Sequence, residues 1–269
     1  MSALGNITIG QYLPGDSVVH RLDPRTKLLI SFSFILVLFL VSGWMAYLLF
    51  ALSVLLVARV ANVPIRLLIK GLRPLRFIII LTLVLHVFTT RGGITLFELG
   101  FLRIESQGLT QGLFLVMRLM LLVVATSLLT LTTSPISLTD GLERLLAPFQ
   151  RVGVPAHELA MMMTIALRFI PTLIEEAEKI RRAQLARGAD FESGGLVQRA
   201  KSLLPLLVPL FVSAFRRADD LAMAMEARGY RGGQHRTKLK VLRYTSLDTA
   251  AALLAVATFV AAFLLGRVA

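Results

Sequence analysis

The chain contains no cysteine among its 269 residues. It can therefore form no disulfide, and it has no thiolate for catalysis or metal binding. Histidine is also scarce, and the four histidines are scattered along the chain, at His20, His86, His157 and His235. The pair His157-Glu158 lacks the second histidine that a zinc-protease helix carries at position 161, where Met161 stands. We therefore expect neither a metal site nor a cofactor.

A phosphate-binding glycine loop followed by lysine and a hydroxyl residue is also missing. Any ATP hydrolysis linked to this chain is therefore expected in a partner, and the chain itself is not expected to be an enzyme. Acidic residues are few, 16 against 29 lysines and arginines, so the net charge is +13. A nucleic-acid binder could share this charge, but not the long apolar runs of a chain that is 56% hydrophobic. Composition predicts an integral membrane protein with basic cytoplasmic parts and no nucleic-acid partner.

The apolar runs predict about five membrane spans. Residues 28–58 carry no formal charge. As one helix they would measure about 46 Å, longer than the roughly 30 Å of a bilayer core. Ser42-Gly43 offers a break, so we expect two short helices there. The predicted spans are residues 26–42, 44–60, 75–89, 109–132 and 247–265, and residues 90–108 are expected to form a polar loop.

The distribution of basic residues predicts the orientation of these spans. The N-terminal segment and the loop 59–76 are basic, so the positive-inside rule places them in the cytoplasm of a multi-pass plasma-membrane protein. Residues 135–245 then lie in the cytoplasm or on its membrane surface. Two apolar stretches inside this region, 159–174 and 203–215, are short for a crossing, and we interpret them as helices half-sunk in the interface. Charge alone leaves open that both cross the membrane.

The tripeptide Ala-Arg-Gly occurs twice in this region, and its arginines lie 41 positions apart (228 − 187). Each copy ends a run with helical periodicity that has a proline near its start. Glycine after a helix favours a left-handed cap, and arginine suits the negative end of the helix dipole. A capping role and a binding role are compatible. The two copies are Ala186, Arg187 and Gly188, then Ala227, Arg228 and Gly229.

Several further motifs occur in a fixed order along the chain. They are residues 17–27 (SVVHRLDPRTK), 132–135 (TTSP), 140–143 (DGLE), 157–163 (HELAMMM), 168–171 (RFIP) and 225–230 (MEARGY). Together with the two Ala-Arg-Gly copies, they resemble one family, the transmembrane (T) component of energy-coupling-factor (ECF) transporters, known as EcfT. The resemblance runs nearly end to end, and the two Ala-Arg-Gly copies are its most specific part.

The resemblance implies a scaffold that joins two cytoplasmic ABC-type ATPase subunits to a membrane-embedded substrate-binding S component, for import of vitamins or metal ions. Each Ala-Arg-Gly tip would dock on one ATPase, so these six residues are the expected coupling site. The fold would be all-α and polytopic, with a cytoplasmic coupling domain of long amphipathic helices. The expected divisions are residues 1–134 for the lead-in and four spans, 135–245 for the coupling domain and 246–269 for the last span.

Arg118 lies within the predicted span 109–132, where a charge is costly and usually faces protein or water. It could contact the S component or form a polar link across the bundle, or it could simply snorkel outward. Two other functions compete with the coupling role. One is a membrane-embedded enzyme, but this sequence shows no convincing catalytic cluster. The other is a self-sufficient secondary transporter or channel, but this sequence offers few intramembrane acids that could relay ions.

Overall fold

The computed structural model describes residues 12–99, 102–191, 193, 195–232 and 241–268. These residues form eleven α-helices, two short 3-10 helices and one pair of β-strands. The α-helices are α1 (Val18–Arg21), α2 (Pro24–Leu40), α3 (Trp44–Val60), α4 (Ile65–Leu72), α5 (Arg76–Thr89), α6 (Ser106–Thr132), α7 (Pro135–Leu146), α8 (Ala156–Ala186), α9 (Leu196–Ser202), α10 (Leu204–Ala227) and α11 (Ser246–Val268). The 3-10 helices are Arg73–Leu75 and Ala147–Val152, and the strands are β1 (Thr95–Leu99) and β2 (Leu102–Glu105).

The chain folds as two compact units. The bundle unit comprises residues 10–142 and 241–269, and the long-helix unit comprises residues 143–240. In the bundle unit α2, α3, α6 and α11 pack together, and α5 packs along α6. Its core centres on Leu38, Tyr47 and Phe50, which are almost fully buried. In the long-helix unit α8 packs against α10.

The predicted break at Ser42-Gly43 is confirmed. Helix α2 ends at Leu40 and α3 begins at Trp44. Gly43 between them has φ 122°, a conformation that residues with a side chain rarely adopt. The apolar run therefore becomes a tight hairpin of two short helices. The start of α2 also follows the sequence, because the Asp23 carboxylate accepts the Arg25 backbone N–H at 2.9 Å and Pro24 is the first helical residue.

The segment 90–108, expected as a polar loop, contains an antiparallel β-hairpin, so that prediction was wrong in detail. Thr95 pairs with Glu105 and Leu99 with Leu102, with an irregularity after Thr95. The strands contain Thr95, Phe97 and Ile104, residue types that favour strands. Helix α6 begins directly after β2, at Ser106 rather than near Leu109.

The predicted fold class, an all-α polytopic membrane protein, is confirmed, with this short hairpin as an addition. Among the described residues, three helices are long and apolar enough to cross a membrane: α6, α8 and the part Ser246–Gly266 of α11. Helix α3 is a shorter apolar helix. The remaining predicted spans, 26–42 and 75–89, correspond to α2 and α5.

Helix α8 requires a correction to the length argument made from the sequence. Residues 159–174 were judged too short to cross a membrane, but they belong to one continuous 31-residue helix that includes Pro171. An internal proline removes a single backbone donor, and apolar helices tolerate that loss when neighbouring groups compensate. Helix α10 likewise contains Pro209 in its interior. Pro171 and Pro209 therefore lie inside these helices, whereas Pro155 is the N-cap of α8 and Pro205 is the second residue of α10.

Candidate functional site

The first Ala-Arg-Gly copy caps helix α8. Arg187 is the last half-helical residue, and Gly188 follows with φ 83°. The Gly188 N–H donates to the Leu185 carbonyl at 3.0 Å, and the Ala189 N–H donates to the Gln184 carbonyl at 3.0 Å. These two bonds make a Schellman motif, which satisfies carbonyls that a helix end otherwise leaves without donors. The capping interpretation of Gly188 is confirmed.

The second copy caps helix α10 in the same way. Gly229 has φ 71°, and its N–H donates to the Glu226 carbonyl at 2.9 Å. The Tyr230 N–H donates to the Met225 carbonyl at 3.0 Å. Each arginine therefore occupies the same position in the same cap, and the chain turns away immediately after it. The backbone presents the two guanidinium groups in equivalent surroundings.

Both tips are exposed. All six residues of the two copies lie at the surface. Among the described residues, a Cβ added at Gly188 or Gly229 would meet no atom within 4 Å beyond its chain neighbours, so the space around both cap glycines is open there. Within the described ranges, no hydrogen bond or ion pair engages the guanidinium of Arg187 or Arg228. A permanently charged group with five donors is thus available at the end of each helix.

An ion pair joins the two helices at matching distances from their tips. Arg217 on α10 approaches the Glu176 carboxylate on α8 at 3.3 Å. Glu176 lies 11 residues before Arg187 (187 − 176), and Arg217 lies 11 residues before Arg228 (228 − 217). At 1.5 Å per residue, each tip extends about 16 Å beyond this contact. The pair is partly exposed, so it contributes little stability and mainly marks where the helices meet.

The base of α8 is its most buried part. Ala156 and Ala160 are the only buried residues that the structure records on this helix. His157 contacts Glu143 through Nδ1 at 3.0 Å, while its buried Nε2 has no hydrogen-bond partner in the part of the chain that the structure describes. No cluster of three or more potential metal ligands occurs among the described residues. His157 therefore connects the start of α8 to Glu143 near the end of α7, within the long-helix unit.

Arg118 faces the interior of the bundle unit. Its Nε donates to the Tyr47 hydroxyl at 2.9 Å, and its guanidinium carbon lies 5.2 Å from the centre of the Phe39 ring. Tyr47 is 1% exposed. The side chain therefore forms a polar link between α6 and the α2–α3 hairpin, one of the arrangements considered from the sequence.

Sequence reasoning missed Asp248, which is 2% exposed at the start of α11. One carboxylate oxygen accepts the Asp23 N–H at 2.7 Å, and the other accepts the Thr245 N–H at 2.8 Å and the Thr245 hydroxyl at 2.7 Å. Asp23 in turn accepts a two-pronged ion pair from Arg25. The spacing Thr245-x-x-Asp248 is a capping-box pattern and could have identified the Thr245 part of this arrangement.

Comparison with known proteins identifies the family. A family model described as "CbiQ: Cobalt transport protein" matches residues 15–239. A protein of Thermosediminibacter oceani named "Energy-coupling factor transporter transmembrane protein EcfT" is 60% identical over 96% of this chain and 98% of its own length. The chain belongs to the EcfT family.

Further EcfT relatives support the same assignment. The protein of that name from Clostridium kluyveri is 53% identical over 93% of both chains, and the one from Bacillus subtilis is 48% identical over 91% of this chain and 93% of its own. The resemblance seen in the sequence motifs is therefore confirmed. EcfT proteins are named as transmembrane components of a transporter, so this chain is a transporter membrane component and its relatives are not named as enzymes. The family-model match includes both Ala-Arg-Gly copies.

Proposed function

We propose that this EcfT family member is the coupling subunit of an ECF-type ABC importer. In this proposal two ABC-type ATPase subunits bind its cytoplasmic helices, and an S component beside its membrane helices binds a vitamin or a metal ion. ATP hydrolysis occurs in the partners. The observation that carries the proposal is the pair of identical helix caps, each presenting an exposed arginine.

The physical chemistry of the tips supports docking on acidic grooves. A guanidinium group forms bidentate hydrogen bonds with carboxylates, and its charge does not depend on pH in the physiological range. Alanine before it adds little bulk, and glycine after it lets the chain leave the contact at once. Two equivalent tips suit two equivalent partner subunits. We assign Ala186, Arg187 and Gly188 to one ATPase subunit, and Ala227, Arg228 and Gly229 to the other.

The proposal includes an orientation. Residues 135–245 would form the cytoplasmic coupling domain, with residues 1–134 and 246–269 supplying the membrane part. The N-terminus would lie in the cytoplasm of a cell whose plasma membrane contains the protein, because the basic loop 59–76 follows the positive-inside rule. Many apolar side chains of the bundle unit are exposed to the surroundings of the isolated chain, as expected when lipid and another membrane protein cover them.

Purification from native membranes in mild detergent tests this function. We expect two nucleotide-binding subunits and at least one small, very hydrophobic protein to co-purify. Uptake by the complex in liposomes should require ATP, and a panel of radiolabelled riboflavin, thiamine, biotin, folate, cobalt and nickel supplies the probes. The cargo taken up best is the assay cargo for the experiments below. Recovery of the chain alone, in detergent that preserves a control ABC complex, would indicate a self-sufficient transporter instead.

We further propose that Arg118 supports the contact with the S component. Replacing Arg118 by leucine removes the charge and all its donors, whereas the matched variant Tyr47→Phe removes only the hydroxyl that Arg118 contacts. We expect Arg118→Leu to lower recovery of the small hydrophobic subunit at least threefold. Tyr47→Phe should leave that recovery nearly unchanged and cost about 1 kcal/mol of stability. Complete assembly and normal uptake in Arg118→Leu would eliminate this role.

A further inference from the structure

Three sequence motifs that the proposed function leaves unexplained meet in the bundle unit. They are residues 17–27, the α6–α7 connection at 132–135, and the start of residues 140–143. Lys27 and Thr132 are 105 positions apart in sequence, yet the Lys27 ammonium donates to the Thr132 carbonyl at 3.0 Å. The contact joins α2 to the end of α6.

Lys27 is buried, with only 7% of its surface exposed. Its ammonium group has three donors and three oxygen neighbours: the Thr132 carbonyl, the Thr133 hydroxyl at 3.3 Å and the His20 carbonyl at 3.2 Å. A buried lysine is costly unless its donors are satisfied. The ammonium is therefore held in a defined position by two stretches of chain, one at His20 and the other at Thr132 and Thr133.

The contact with Thr132 replaces a conventional cap at the end of α6. Thr133 follows the helix in an extended conformation, φ −137° and ψ 125°, and no glycine closes the end as at the helix tips described above. A helix end leaves carbonyls without donors and carries partial negative charge. The Lys27 ammonium supplies both a donor and a positive charge there. It thereby fixes the last turn of α6.

Helix α7 starts at Pro135, after two intervening residues, and its first turn is fixed as well. Ser134 accepts the Ser137 N–H at 3.2 Å through its hydroxyl and the Leu138 N–H at 2.9 Å through its carbonyl. Only Thr133 and Ser134 separate the two helices, so the α6–α7 corner has little freedom. One and a half turns further on, Gly141 is buried against α2: a Cβ added there would lie 3.0 Å from the Pro24 Cβ.

We propose that Lys27 and Gly141 hold the α6–α7 corner as a rigid part of the bundle, so that coupling movements reach the membrane helices through α7 without displacing it from α2. Lys27 is a positioning residue in this scheme. The inference rests on the proposed coupling function. It assigns a role to motifs 17–27 and 132–135 that is distinct from ATPase docking.

A reversible cross-link tests whether α7 stays on α2 during transport. The chain lacks cysteine, so the double variant Pro24→Cys with Gly141→Cys introduces a single pair. The added Cβ at position 141 lies 3.0 Å from the Cβ at position 24, so the backbones of α2 and α7 must part by about 0.5–1.5 Å to reach the roughly 3.5–4.5 Å that disulfides need between Cβ atoms. We expect the disulfide to form under mild oxidation, and uptake by the oxidised complex to stay within twofold of the reduced complex. Failure to cross-link would contradict the contact. Uptake that stops on oxidation and returns on reduction would overturn the rigid corner.

A second variant tests Lys27 itself. Lys27→Met keeps the length of the side chain and removes its donors, while Lys27→Arg keeps charge and donors. We expect Lys27→Met to retain both ATPase subunits and ATP hydrolysis within twofold but to lower cargo uptake per ATP about tenfold. Lys27→Arg should retain at least a third of the cargo uptake per ATP that the unsubstituted chain supports. An unchanged ratio of uptake to ATP in Lys27→Met would overturn the positioning role.

These outcomes separate the inference from the proposed function. If no nucleotide-binding subunits co-purify with the unsubstituted chain, the coupling function fails, whatever the corner does. The coupling function holds if the nucleotide-binding subunits co-purify and are released by the variants Arg187→Glu and Arg228→Glu. If Lys27→Met then transports normally, only the inference fails. The yield of the 24–141 disulfide in the purified chain reports on the corner without any partner.

Discussion

Charge reversal at both tips, Arg187→Glu together with Arg228→Glu, is expected to abolish ATP-driven uptake. Each arginine is exposed at a rigid helix end. In an acidic groove, glutamate would replace attraction by repulsion between like charges. Removing one member of a hydrogen-bonded charge pair at an interface costs about 2–5 kcal/mol, which is roughly 30- to 4,000-fold in affinity. Losing both contacts should release both ATPase subunits.

The single variants should be less severe and should resemble each other. Because the two caps have the same hydrogen bonds, Arg187→Glu and Arg228→Glu are each expected to lower uptake at least tenfold and to weaken one ATPase contact. Co-purification of the nucleotide-binding subunits and liposome uptake of the assay cargo measure both effects. A double variant that transports like the unsubstituted chain would remove the two tips from the coupling site.

Arg216→Glu provides a matched control for this experiment. Arg216 lies on α10, 12 residues before Arg228 (228 − 216), and is exposed. The same charge change is thus made on the same helix, about 18 Å from the tip. It should leave ATPase binding within twofold. If Arg216→Glu released the ATPase subunits as strongly as Arg228→Glu, the general basicity of α10 rather than the tip would mediate docking.

The sequence predicts the helix tips well because their signals are local. A cap is determined by a glycine and by hydrogen bonds within six residues, so Ala186-Arg187-Gly188 is sufficient to locate the end of α8. The break at Gly43 and the start of α2 at Asp23-Pro24 are local in the same sense. The exposure of Arg187 follows from the polar faces of its helix. What binds there is not a local property and stays a proposal.

The polar contacts inside the bundle could not be predicted because their partners are distant in sequence. Lys27 lies at the start of the first predicted span, and nothing local in the sequence indicates that the structure buries it against Thr132. The polar link of Arg118 depends on a hydrogen bond to Tyr47, which lies 71 positions earlier in the sequence. Tyr47 lies in the uncharged apolar run 28–58, where the sequence does not show which residues face another helix. Burial of such groups depends on which helices pack together.

Close approach between α5 and α6 was also missed, although Gly108 and Gly112 have the spacing that lets apolar helices pack tightly. A Cβ added at Gly108 would lie 2.8 Å from the His86 carbonyl oxygen and 2.9 Å from the Thr90 carbonyl oxygen. At Gly112 the nearest atoms would be the His86 Cβ at 3.2 Å and the Leu83 Cδ1 at 3.3 Å. The added Cβ would therefore contact backbone carbonyl oxygens at Gly108 and mainly side-chain atoms at Gly112.

This difference sets the order of the expected effects. Side chains can adjust by a few tenths of an ångström, whereas carbonyls of the last turn of α5 can move only if that turn moves. Gly112→Ala should therefore be tolerated better than Gly108→Ala, for which we expect a loss of about 1–3 kcal/mol. For the larger substitution Gly108→Leu, the matched control is Thr110→Leu, which places the same side chain at an exposed position of the same helix.

Gly108→Leu is expected to prevent recovery of folded protein. A leucine side chain cannot fit where a single carbon already overlaps two carbonyl oxygens, so α5 and α6 would have to separate. That separation would also displace the β-hairpin, because β2 leads directly into α6. Size-exclusion chromatography of a fluorescent fusion should show aggregation for Gly108→Leu and a sharp monodisperse peak for Thr110→Leu. Equal peaks and equal melting temperatures for both variants would show that α5 does not pack on Gly108.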